Sequence, residues 1–190
     1  MPRIILTESL EEAAEKAVAM EASLEKLRRA LANAIAGMSE EELNWHPVGK
    51  WCAVEVLEHL LLTYTGTVKG FERVMQKGQT LVTPATWGQR WRAWVVTSLG
   101  YIPEGRKAPA FAQPRGLPQG KVVHEFGAKI SELDEIIAGC EARFGRNIKL
   151  LDHPFLGPLT GREWRKFHLV HGLHHAKQIG SLRLGWAKEK

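Results

Sequence analysis

Between Leu10 and Met38 the apolar residues Leu10, Ala13, Ala17, Met20, Leu24, Leu27, Leu31, Ala34 and Met38 follow one another in alternating steps of three and four. A helix turns about 100° per residue, so this rhythm gathers all of these side chains on one stripe; a strand would scatter them over both faces. Such a stripe must be covered by another element. The same rhythm returns in Leu57, Leu60, Leu61, Tyr64, Val68, Phe71 and Met75, between Trp51 and Lys77, and again in Phe126, Ile130, Leu133, Ile137, Cys140 and Phe144, between Val123 and Gly145. A fourth long helix begins after Thr160 and runs to about Leu184.

Boundary signals agree with this division. Ser9 with Glu12, and Thr160 with Glu163, have the spacing of a capping box, in which a hydroxyl accepts from a free backbone N–H and the glutamate reaches back. Thr83 followed by Pro84 predicts the start of a shorter helix that ends at Gly100 and carries Trp87, Trp91 and Trp94 as a stripe, read as core or as an interface. Residues 102–120 hold Pro103, Pro109, Pro114 and Pro118 and cannot sustain a helix. No segment alternates as a strand would, and LDHPFLGPLT reads as loop. The expectation is an all-α, up-and-down four-helix bundle with one extra short helix and a long Pro/Gly loop, a single domain over residues 1–190.

Composition narrows the function classes. At 190 residues, 44% hydrophobic and 25% charged, the chain is an ordinary globular one. The net charge of +5 is not gathered into an arginine-rich run, a zinc-finger spacing or an RNA-binding aromatic motif, so nucleic acid is not the expected partner. MPRIILTESLEE does not read as a secretory signal, no stretch approaches a membrane span, and two cysteines are too few for a disulfide framework. A cytoplasmic setting is expected, with no membrane partner, and Cys140 is expected in the core.

The chemistry is concentrated in FHLVHGLHHAKQIG, which holds four of the eight histidines. His171 and His175, four apart, place their Cβ atoms about 5–6 Å apart on a helix, close enough for both rings to reach one ion about 2 Å away. His168 is seven residues from His175, about 10 Å along the axis, and His174 points about 100° away from it. Trp164, His171, His175, Gln178 and Leu182 form one seam. A third ligand has to come from a facing helix, and His59 is the candidate because it is the only histidine in the second helix. Its phase is ambiguous: it lies off the apolar arc, on a stripe with Thr63, Gly66 and Gly70 that marks either a cleft or solvent. Packed or hydrogen-bonded histidines are the competing reading. His46 and His124 read as loop or surface residues.

Three segments resemble the DinB-like helical bundles. KWCAVEVLEHL is similar to the start of that family's second helix, with its first metal histidine at His59; HGLHHAKQI is similar to its HxxxHxxQ, at His171, His175 and Gln178. DHPFLGPLTGREW resembles the loop and helix start of a subfamily of unknown function, matching at Asp152, His153, Pro154, Gly157 and Trp164. Cys52 stands where the family usually has Ser, which weakens the cap expected from Glu55. The resemblance implies a four-helix bundle, often a homodimer, with a three-histidine divalent site and thiol-dependent transferases and isomerases among its members.

Three imidazoles leave positions open on zinc or nickel, with iron or manganese as further fits, as in a catalytic site. The expected function is therefore a metal-dependent enzyme, a thiol-dependent transferase or a hydrolase, acting on a small molecule that includes a low-molecular-weight thiol. The alternative is a non-catalytic metal-binding or protein-interaction bundle. Glu55 is a candidate to orient His59 or relay a proton, or simply to cap its helix. His153, with Asp152, is a candidate at the cleft mouth, or a residue that fixes a turn. Gln178 is expected as a hydrogen-bond donor behind the ligands rather than a ligand.

Overall fold

The computed structural model describes residues 24–102 and 107–189, so the seam from Leu10 to Met20 and the Ser9–Glu12 box lie outside the described residues. The elements in order are α1 (24–35), α2 (Glu40–Asn44), α3 (Ala53–Lys77), α4 (Trp87–Trp94) continued by a π turn (Val95–Leu99), a 3₁₀ turn (Ala110–Ala112), α5 (Gln119–Phe144), β1 (Lys149–His153), β2 (Gly157–Thr160) and α6 (Gly161–Glu189). The described residues are mostly helical, with one small hairpin among them. Among the described residues no helix is long and apolar enough to cross a membrane.

The helical rhythm fixes what is buried. Leu24, Leu27 and Leu31 of α1, Leu57, Leu60, Tyr64, Val68 and Phe71 of α3, and Phe126, Ile130, Leu133, Ile137 and Cys140 of α5 form one continuous core. Cys140 is a core thiol, as expected, its Sγ 3.9 Å from the Phe71 carbonyl oxygen. At the head of α3 the box closes in spite of Cys52: the Glu55 carboxylate accepts the Cys52 N–H, and Cys52 Sγ accepts the Glu55 N–H. Gly78 ends α3 in the left-handed region at φ 64, where a side chain would be strained. Arg165 of α6, itself buried, donates to Asp134 and Glu141 of α5 and ties those two helices together.

Several expectations are corrected. The segment read as loop, LDHPFLGPLT, forms most of the antiparallel hairpin β1–β2, with Leu151 opposite Leu159 and His153 opposite Gly157. Its strands are five and four residues long, too short for alternation to register, and its prolines and glycine are loop signals in any single-sequence reading. Leu81 joins its edge, donating to Leu150 and accepting from Asp152. The shorter helix starts at Trp87, not after Thr83: Thr86 is the cap, completed by Gln89, whereas the Thr83 N–H and hydroxyl both donate to Asp152. Trp87, Trp91 and Trp94 are not core, being 82%, 56% and 47% exposed. The short α2 was not foreseen, α6 continues past Leu184, and Thr160 with Glu163 does cap it.

Candidate metal centre

The site lies where α3 and α6 approach closely. Gly172, next to His171, permits that approach: a Cβ there would stand 2.3 Å from Leu27 Cδ1 and 3.0 Å from the Tyr64 hydroxyl. With the two helices so placed, His59, His171 and His175 come together, and His171 Nε2 lies 3.3 Å from His59 Nε2 and 3.2 Å from His175 Nε2. The three can hold one metal ion. Such separations fit the geometry of a tetrahedral centre, because two nitrogens about 2.05 Å from a common ion at an angle of about 105° are about 3.3 Å apart.

Protonation states sharpen the point. His59 Nδ1 is 2.7 Å from the Ala112 carbonyl oxygen, which can only accept, so the proton sits on Nδ1 and the Nε2 lone pair faces its neighbours. His175 Nδ1 donates to the Gln178 side-chain oxygen at 2.9 Å, leaving its Nε2 likewise as a lone pair. Gln178 is therefore an acceptor, not the donor expected. Burial lowers the pKa of all three rings: His175 is brought down to about 4, helped by His59, and His171 lies well below the ordinary value, helped by His175 and His59. At neutral pH the cluster is uncharged. A single proton on His171 Nε2 could serve only one of the two lone pairs facing it, whereas a cation serves both.

A carbonyl aimed at a histidine must itself be held in place, and here sequence reasoning missed a residue. Glu58 is 1% exposed, and its carboxylate accepts three backbone N–H groups, from Arg115 at 2.7 Å and from Gly116 and Leu117 at 3.1 Å each. It clamps the loop that carries Ala112 to the helix that carries His59. The signal was present in the sequence: an acidic residue sits in the apolar run of Val54, Leu57 and Leu61, where an unpaired charge would be costly.

The other candidates lie elsewhere. Glu55 is occupied in the cap of α3, and the role of orienting His59 falls to Ala112. His153 is buried in the hairpin, where its Nδ1 accepts the N–H groups of Phe155 and Leu156, so it fixes a turn while also lining the cleft. Asp152 lines the cleft too, held by Thr83. His168 is fully buried outside the cluster, stacked on Trp164 and edge-on to Tyr64, with neither ring nitrogen hydrogen-bonded. His46 and His124 are exposed.

The three histidines open onto a cleft of about 1370 Å³. Trp51, ahead of α3, packs against His59 at 5.3 Å between ring centroids, and Phe167 stacks on His171 at 5.3 Å and 11°. Thr63, Gly66 and Gly70 line the same cleft, so the small-residue stripe beside His59 marks a cavity wall. The chain belongs to the family described as protein of unknown function (DUF1569), whose model matches residues 16–181. No curated protein and no solved structure matches it.

Two measurements follow from this geometry. Glu58→Ala removes the acceptor of three N–H groups, so amide exchange at Arg115, Gly116 and Leu117 should accelerate strongly and stability should fall by roughly 3 kcal/mol; unchanged protection there would refute the clamp. Burial holds His153 to about 4 and His168 to about 3, against an unfolded value near 6.5. Below pH 6.5 the unfolded chain then binds protons that the folded chain does not. Stability of the metal-free protein should fall as pH drops from 6.5 toward 4, each histidine adding up to about 1.4 kcal/mol per unit. His168→Phe should make the pH dependence of the urea midpoint shallower; an unaltered slope would contradict it.

Proposed function

We propose that the protein is a divalent-metal-dependent enzyme of the DinB-like type, built on a four-helix bundle, in which His59, His171 and His175 hold the ion. The observation that carries this reading is the convergence of three uncharged imidazoles, two with Nδ1 engaged behind them, at one end of a large cleft. Outer partners of this kind fix the tautomer and raise the basicity of a ligating histidine. Zinc or nickel suits an all-imidazole donor set best, with iron or manganese as further fits. The bound ion would act as a Lewis acid, lowering the pKa of a water or thiol brought to it, which suits hydrolysis or transfer to or from a low-molecular-weight thiol.

The chain's own residues supply the rest. Ala112 and Gln178 hold the rings of His59 and His175, and Glu58 holds the Ala112 loop. Trp51 and Phe167 pack against His59 and His171 and limit the access of water on those sides. His153, with Nδ1 occupied by two N–H groups, carries its proton on Nε2 and can act in the cleft only as a neutral donor. The setting is cytoplasmic, a reading supported by two free, buried cysteines.

A second reading is a non-catalytic module whose exposed tryptophans bind a partner or a second copy of the chain. Trp91 and Trp94 favour it, since they stack on each other at 5.2 Å and remain about half exposed, at 56% and 47%. Metal analysis of untagged protein separates the two. The enzyme reading expects about one ion per chain, lost in His171→Ala, and a metal affinity lowered about 10–100-fold in Gln178→Leu. A metal-free wild type of full stability that takes up no added zinc or nickel would leave only the second reading.

A further inference from the structure

The cleft beside the histidines has a composition that selects its occupant. Its floor is one face of α3, running from His59 through Thr63, Gly66, Thr67 and Gly70 to Arg73. The Thr63 hydroxyl donates to the His59 carbonyl and the Thr67 hydroxyl to the Thr63 carbonyl, so neither proton is available to a ligand. The walls add Trp91, Tyr101, Phe111 and Phe155. A sugar or other polyhydroxyl ligand would find few hydrogen-bond partners on this floor and would lose its hydration there without compensation.

Charge is placed at a distance from the histidines. Lys69 and Arg73 are ten and fourteen residues beyond His59 on the same helix, about 15 and 21 Å along its axis. Arg92 and Lys107 also line the cleft, whereas among the described residues the acidic ones on the lining are Glu72 and Asp152. Among the described residues none of the four cations is paired with a carboxylate. The Arg73 and Arg92 Nε–H groups donate to the neutral carbonyls of Lys69 and Phe155, which leaves their charge uncompensated. Aromatic walls alone would also suit a cation, but four cationic side chains oppose one.

We propose that the cleft binds a small amphiphilic anion, of the aryl or alkyl carboxylate or sulfonate class, with its apolar body on the Thr63–Gly70 floor and its anionic group toward Lys69 and Arg73. An occupant of this class long enough to cover most of the roughly 15 Å between Lys69 and His59 along the helix would bring its opposite end to the three histidines. Assigning that end as the reacting one rests on the metal-enzyme reading; the binding mode does not.

Anilinonaphthalene sulfonate and its uncharged relative phenylnaphthylamine serve as fluorescent probes of the full chain, with metal content measured on the same samples. Gly66 is exposed on the floor and a Cβ added there meets no atom within 4 Å, so a side chain can start there without a clash and Gly66→Phe should place a ring over the floor. It should weaken the sulfonate at least about tenfold, with Gly66→Leu intermediate, while metal content stays at the wild-type level. Lys69→Ala with Arg73→Ala should weaken the sulfonate about fivefold and phenylnaphthylamine less than about twofold. Melting temperatures near wild type show that each variant folds. Undiminished sulfonate binding in both folded Gly66 variants would overturn the cleft as the binding site, and equal losses for the two probes would overturn selection of an anion. Binding that follows the expected pattern in a protein taking up no metal would reject the metal reading and leave this one standing.

Discussion

Uncharged imidazoles with lone pairs turned toward one another repel, and burial removes the water that would otherwise relieve them. At the centre of this protein three ring nitrogens lie 3.2 and 3.3 Å apart along the chain His59–His171–His175. Much of the surrounding structure holds that arrangement in place. Gly172 lets α6 approach Leu27 and Tyr64, the Ala112 carbonyl fixes His59, and Glu58 fixes the loop that carries Ala112. The maintained convergence of the three rings is the physical basis for reading the site as a place for a cation.

What the sequence revealed depended on whether the relevant partner was local. His171 and His175 were legible because i, i+4 spacing on a helix is a local property. His59 was not separable by phase alone. One helix's periodicity shows which side faces the apolar core, but the side bearing Thr63, Gly66 and Gly70 faces a cleft, and only the walls supplied by the hairpin and the α4 segment distinguish a cleft from open solvent. Glu58 could have been found as a charge in an apolar run, yet its partners, Arg115 to Leu117, are more than fifty residues away.

The tryptophans teach the complementary lesson. Trp87, Trp91 and Trp94 do share a helical segment, but periodicity identifies a common face without saying whether anything covers it, and here nothing among the described residues buries them. The Thr83 and Thr86 pair shows a similar limit. Both precede a helical pattern, and Thr86 serves as the cap because Gln89, three residues on, can return the bond, while Thr83 turns to Asp152 in the hairpin. The hairpin itself was masked by Pro154, Gly157 and Pro158, residues whose local preferences resemble those of a loop.

The clamp and the cleft meet at His59. Glu58 on the neighbouring position reaches the loop, and His59 lines the cavity while presenting Nε2 to the other two rings, so one turn of α3 connects fold, site and ligand space. The most direct test of the central claim is an anomalous-difference map from crystals of the untagged protein. The account predicts one peak about 2.0–2.1 Å from the Nε2 atoms of His59, His171 and His175. A map with no peak there after zinc or nickel has been supplied, with the three rings hydrogen-bonded among themselves or through water, would contradict it.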